Sequence, residues 1–306
     1  MKNNRQVKRL MTIVATALLV ILLAACQSNT PQGNTPAENT NGNGASNEAV
    51  QETAKPEREK LTFGVAPGPY GDMILQAIKP ELEKKGYKVE VKEFSDYVQP
   101  NLALARGDLD ANMFQHNVYL ENFSKDHNLE LSRVIRIPTA ATGLYSKKIT
   151  SLSELKDGAE VTLANDPTNL ARSLKFLENN ELLKINPNIS ATQASEKDIT
   201  ENPKNLKITP IEAAQLPRSL DSVDLSAVNG NFAIAAGIQL SSALAMEELI
   251  EDHKNLIAVR TEDINAQFVK DIIEIVESEN FKNIIEGSDM FRYFQKPDWY
   301  LEKWGE

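Results

Sequence analysis

Arg172 stands six positions after Asp166, and the residues between them spell the start of a helix. Asp166 is a good N-cap and Pro167 a good first helical residue. The free N–H groups of such a start favour an anion, and a guanidinium in its second turn offers a planar fork suited to a carboxylate. Asn169, three residues before Arg172, shares its helix face. A second set of residues is apolar with polar tips. Tyr97 lies in a turn after a strand, in Ser95–Asn101. Phe114 and His116 alternate along the short strand expected over Asp110–His116, which places both on one face, and Tyr119 follows closely. A third set, Asn229 and Asn231 around Gly230, supplies amides for an amino or carboxylate group. Each set has a plainer reading. Arg172 could be a surface cation paired with Glu178 or another acid. The aromatics could be core, His116 a structural histidine, and Asn229-Gly230 a tight turn.

Other chemistry is excluded by what the chain lacks. It has no GxSxG, Walker A, GxGxxG or Cys–His pairing in its folded part, so no enzyme is expected. Gly64–Gly68 makes a tight loop after a strand but lacks the Lys and Ser/Thr of a phosphate loop. With three histidines, no HExxH and no carboxylate cluster, no metal is expected, nor any cofactor. The one cysteine, Cys26, rules out an internal disulfide or a CxxC pair. Formal net charge is −10, and it becomes −14 once Lys2, Arg5, Lys8 and Arg9 are removed with the N-terminal segment. A nucleic-acid partner needs a basic stripe, so none is expected.

The elements that must hold these residues alternate in type. Leu61–Ala66, Lys88–Phe94, Val134–Ile137, Glu160–Ala164, Leu206–Ile211 and Leu256–Arg260 read as strands. Ile74, Ile78 and Leu82 recur at helical spacing, with Pro80 expected to kink that helix. Phe268/Val269, Ile272/Ile273 and Val276 form another apolar helix face. Alternation of this kind implies an α/β fold with ligand contacts at the carboxyl ends of strands.

The N-terminus reads as an address. Residues 1–11 are basic and Met11–Ala25 are apolar, too short a run for a comfortable membrane span. Leu23-Ala24-Ala25-Cys26 resembles the bacterial lipobox, which implies cleavage before Cys26, diacylglycerol on its sulfur and a place on the outer side of the cell membrane. Residues 27–59 contain no aromatic residue and no Leu, Ile, Phe or Met, so they read as a disordered tether. Anchor, leash and α/β body together suggest a two-lobed, periplasmic-binding-protein-like fold with a ligand cleft between the lobes. The expected division is a signal peptide over 1–25, a tether over 26–59, lobe 1 from 60–140 plus 236–306, and lobe 2 from 141–235. The chain should cross near Pro138–Gly143 and return near Ala235–Ile238.

Several stretches carry a family resemblance. They include Val65–Pro69, Asp96–Asn101, Phe114–His116, Gly143–Lys148, Asn165–Asn169 with Arg172, Asp198–Asn205 and Glu212–Arg218. At these residues the chain is similar to the NlpA/MetQ family of methionine-binding lipoproteins, receptor components of methionine ABC importers. The resemblance implies capture of L-methionine, its carboxylate held by Arg172, Asn169 and Asn229 and its side chain among Tyr97, Phe114, His116 and Tyr119. It also implies delivery to an ABC permease. A thioether suits such an aromatic slot. The chain departs from the family at Tyr70–Asp72, at Thr139–Thr142 and in the unusual Met290–Phe294, which keeps another amino acid or a short Met-containing peptide open. A surface adhesin without a working cleft is the reading from a different class.

Overall fold

The structure, a computed structural model, describes residues 58–190 and 192–305. The signal peptide, Cys26 and all but the last two residues of the expected tether lie outside the described residues. The ordered body begins earlier than Lys60. Arg58 pairs with Asp110 at 2.9 Å and Asp263 at 3.1 Å and lies over the Phe268 ring, so the expected tether boundary at 59 is too late.

Twelve strands follow among the described residues. In chain order they are β1 (Lys60–Val65), β2 (Lys88–Glu93), β3 (Ala111–His116), β4 (Leu131–Arg136), β5 (Gly143–Tyr145), β6 (Glu160–Ala164), β7 (Lys184–Ile185), β8 (Ile199–Glu201), β9 (Lys207–Ile211), β10 (Leu225–Val228), β11 (Ala245–Met246) and β12 (Asn255–Arg260). One five-stranded sheet has the order β2-β1-β3-β12-β4, and another has β11-β5-β10-β6-β9. The strands β7 and β8 form a small hairpin apart from both. In each large sheet parallel pairs at one side meet antiparallel pairs at the other.

Each sheet buries its own core. Leu61, Phe63 and Val65 pack under Met73, Ile74, Ile78 and Leu82 on one side of the sequence and Phe268, Ile272, Val276 and Phe281 on the other. Phe291 and Phe294 belong to the same core, which explains two residues of the unusual Met290–Phe294 stretch. Val161, Leu163, Leu225 and Ala227 pack under Leu170, Leu174 and Leu177, the apolar stripe of the helix Pro167–Asn179. Burying each such Leu or Ile contributes roughly 1.5–3 kcal/mol before entropy is counted. The helical stretch after β1 runs from Pro69 to Lys84 with a π-helical turn over Ile74–Ile78, ending two residues before Pro80. Proline lacks an N–H and clashes with the carbonyl four residues back, which accounts for the wider turn there.

The chain passes from the first sheet to the second through residues 137–142, between β4 and β5. The expected return near Ala235–Ile238 is wrong. After the helix Gly230–Ala235 the chain goes back to the second sheet, where β11 pairs with β5, and reaches the first sheet only with β12. Two residues of edge strand are too short to leave a periodic signal, so sequence pattern placed the lobe boundary about ten residues early. Gln295 ties both crossings together. Its backbone pairs with Thr139, its Oε1 accepts from the Leu249 amide at 2.7 Å, and its Nε2 donates to the Glu247 carbonyl at 2.7 Å.

Candidate ligand site

The carboxyl ends of β1, β3, β6 and β10 converge on one cavity. Tyr97, Phe114, His116, Tyr119, Asn169, Arg172 and Asn229 all line it. Its volume is about 20 Å³, room for only one or two waters, so an amino acid enters only when side chains or lobes part.

The aromatic wall is built from the first sheet. Asp96 accepts from the amides of Val98 and Gln99 at 2.8 Å, which starts the helix Gln99–Ala105 and fixes Tyr97 in the turn before it. Tyr97 stacks on Phe114 with centroids 5.8 Å apart and meets Tyr119 edge-on at 6.0 Å. Phe232, from beyond β10, closes on Tyr97 at 5.0 Å. Phe114 and His116 do not reach the cavity by simple alternation. In the register Leu256 opposes Gln115 and Ile257 opposes Met113, which leaves Phe114 as the extra residue of a β-bulge. A bulge re-aims its side chain and leaves a ladder group unpaired. The freed Phe114 carbonyl accepts from Asn255 Nδ2 at 3.0 Å. Behind the strand, Asn101, Asn112 and Gln115 bond one another in a buried amide cluster that holds β3 to the helix Gln99–Ala105.

His116 caps the helix Asn117–His127: its Nδ1 accepts from the Tyr119 amide at 3.2 Å. Its Nε2 lies 3.4 Å from Asn169 Oδ1, so the proton belongs on Nε2 and the ring bridges the two sheets. Burial, then the charge of Arg172 and the His253 ring, push its pKa well below the ordinary value and keep it neutral.

The polar wall comes from the second sheet and departs from expectation in two ways. Asp166 is the N-cap, but its carboxylate takes the Asn169 amide at 2.9 Å, the Asn169 Nδ2 and the Thr168 hydroxyl. That helix start therefore serves a resident carboxylate and is not open to a ligand anion. Arg172 is not a surface cation, and its partner is not Glu178, which bonds Lys175 and the Ile185 amide. It is 6% exposed, and its Nε and Nη2 are gripped by Glu247, at 2.8 and 3.0 Å from Nε and 2.5 Å from Nη2. Burial alone would raise the Glu247 pKa, but Arg172 and His253 outweigh it and hold the carboxyl at about 2. The Nη1 of Arg172 has no hydrogen-bond partner among the described residues.

Asn229 donates to Asn169 Oδ1 at 3.0 Å, which leaves its own buried Oδ1 with no partner among the described residues. The next residue must be glycine. A Cβ on Gly230 would lie 2.5 Å from the Ala141 carbonyl oxygen and 2.6 Å from that of Ala140, on the first crossing segment. Asn231 spans the sheets by accepting from the Tyr97 hydroxyl at 2.6 Å and donating to the Pro67 carbonyl at 2.9 Å.

Sequence reasoning missed Glu247 and His253 altogether. Glu247 lies 75 residues from Arg172 in a stretch without periodicity. Its only signal was a need for a counter-charge if Arg172 is buried. Tyr70 was noted only as a departure from the family. It is buried, and its hydroxyl accepts from the Ala140 amide at 3.3 Å, beside the cavity.

Comparisons with known proteins agree with this architecture. A family model described as NlpA lipoprotein matches residues 61–299. The D-methionine-binding lipoprotein MetQ of Salmonella typhi is 41% identical over 232 residues, 75% of this chain and 84% of that protein. Outer membrane lipoprotein 3 of Mannheimia haemolytica is 39% identical, over 74% of this chain and 86% of that protein. Among solved structures, a nutrient binding protein from Burkholderia cenocepacia bound to methionine superposes with a TM-score of 0.72 at 38% identity, covering 76% of this chain and 97% of that one. Immunogenic lipoprotein A from Vibrio vulnificus gives 0.69 at 35%, covering 73% and 97%. The fold is the two-lobed α/β fold of these binding proteins, and the chain belongs to the NlpA lipoprotein family.

Proposed function

We propose that this protein is a solute-binding lipoprotein that captures methionine between its lobes and passes it to an ABC importer. One observation carries the reading. A single cavity presents a free guanidinium N–H from Arg172, an unpartnered buried oxygen on Asn229, and an aromatic wall of Tyr97, Phe114 and Tyr119. Those are the complements of a carboxylate, an ammonium group and a thioether chain. A buried acceptor without a donor costs about 1–3 kcal/mol, and a ligand N–H removes that cost. The names of relatives and the methionine-bound solved structure support the same ligand. Those names specify the D form, whereas the resemblance suggested the L form, so both must be tested.

The Leu23–Cys26 motif supports a lipid anchor at Cys26 on the extracytoplasmic face of the cell membrane. No helix among the described residues is long and apolar enough to cross a membrane. Calorimetric titration of the full chain in detergent with L- and D-methionine tests the ligand. Saturable binding of either form supports the reading, and heats equal to buffer dilution at millimolar ligand reject it. Cys26→Ala should release the protein from membranes with its fold intact, and persistent attachment would reject the anchor.

A further inference from the structure

The cavity's only guanidinium, among the described residues, comes already neutralised. Glu247 engages Arg172 through both carboxylate oxygens, and it is held there by more than Arg172. Its amide donates to the Thr142 carbonyl at 2.9 Å, the Thr142 amide lies 3.4 Å from its Oε2, and Gln295 holds its carbonyl. His253 Nδ1 stands 3.5 Å from its Oε1. Asp166, half-buried, puts a second carboxylate near Arg172, bonded only to amide and hydroxyl donors, and burial pushes its pKa up against the pull of those donors and of Arg172. His116 is neutral, and the Tyr70 and Tyr97 hydroxyls stay protonated because burial raises both. A ligand carboxylate reaching Arg172 therefore meets a guanidinium that already serves Glu247 and has a second carboxylate nearby.

An uncompensated charge is costly in such surroundings. We propose that Glu247 is a specificity-determining residue that restricts the site to zwitterions: a carboxylate is admitted only if the ligand brings its own cation. This rests on the amino-acid-binding reading above and adds to it the demand for net neutrality. The ammonium would then do more than fill the empty acceptor on Asn229. It would cancel a charge that the protein leaves uncancelled. Without Glu247 the same Arg172 would accept a plain anion.

The experiment compares methionine with its 2-hydroxy analogue, which keeps the carboxylate and thioether and loses the cation. The full chain in detergent is titrated with both. Wild type should prefer methionine by about 100-fold or more, and Glu247→Gln should shrink that ratio by at least about tenfold, on the scale of one hydrogen bond to a charged group. Glu247→Asp, which keeps the charge, should hold the ratio within about threefold of wild type. A purely structural role for Glu247 would weaken both ligands equally. An unchanged ratio in Glu247→Gln therefore overturns the inference, and so does an equal shift in Glu247→Asp. Should Glu247→Gln not fold, wild type decides alone: an analogue bound within about threefold of methionine overturns it. Wild type that binds neither form of methionine rejects the amino-acid reading itself, and this inference with it.

Discussion

The two walls of the cavity are built on opposite terms. The wall from the first sheet is aromatic, and its members satisfy one another: Tyr97 stacks on Phe114, Tyr119 donates to the Tyr97 carbonyl, and Phe123 stacks behind Tyr119. The wall from the second sheet is charged, and its members depend on residues far away in the chain, above all Arg172 on Glu247. An apolar wall loses surface contact when cut and degrades gradually. A buried ion pair does not, because removing either partner strands the other. Binding affinity should therefore reside largely in the first wall, while the second carries selectivity and also stability.

Arg172→Ala is the harshest test of that contrast. It removes a ligand contact and leaves Glu247 buried without its cation, so the ligand-free protein should lose about 3–5 kcal/mol. Urea unfolding of ligand-free protein measures it. A loss below about 1 kcal/mol would mean the pair is not structural and would erase the difference between the walls.

Acid should reach the charged wall first. The Glu247 carboxyl is held at about 2 against an ordinary 4.5, with Arg172 and His253 overcoming the opposing effect of burial. A depressed carboxyl pKa contributes stability that is full above the unfolded value and is lost as pH falls through the folded one. The window therefore runs from about pH 4.5 to 2, and the loss is about 3 kcal/mol. Stability measured across that window should fall less steeply in Glu247→Gln than in wild type. Equal slopes would assign the acid response to other carboxylates.

The aromatic wall should behave otherwise. Phe114→Ala should weaken methionine binding by about 1–3 kcal/mol through lost ring and sulfur contact. Calorimetry measures this, and an unchanged affinity would move the thioether out of the slot. Tyr97→Phe should do least. It keeps the ring and removes only the hydroxyl that donates to Asn231, at a cost of about 1 kcal/mol, read as a small drop in thermal stability.

The same contrast governs what could be read from sequence. The aromatic wall and the main strands were legible because each depends on local pattern. Glu160–Ala164 is a β-branched run bounded by turn residues, and Asp166-Pro167 spells its own helix start. The charged wall was half legible. Arg172 was visible as a residue needing a carboxylate, but the carboxylate already present lies 75 residues further on, just after β11. No period links position 172 to position 247. The bulge at Phe114 was invisible for a related reason, since it is a property of the register with β12 and not of β3 alone. Three- and two-residue strands such as β5 and β11 fall below the length at which alternation can be recognised. The return crossing was misplaced for that reason.

Arg58 has a mechanical consequence. It fastens the entering chain to Asp110 and Asp263, at the end of β1 where the strand begins, while the cavity lies at the end where it finishes. Six residues of strand put those ends about 20 Å apart. A pull arriving from upstream is therefore taken up by the first sheet, on the side away from the cleft. The second sheet carries none of that load directly.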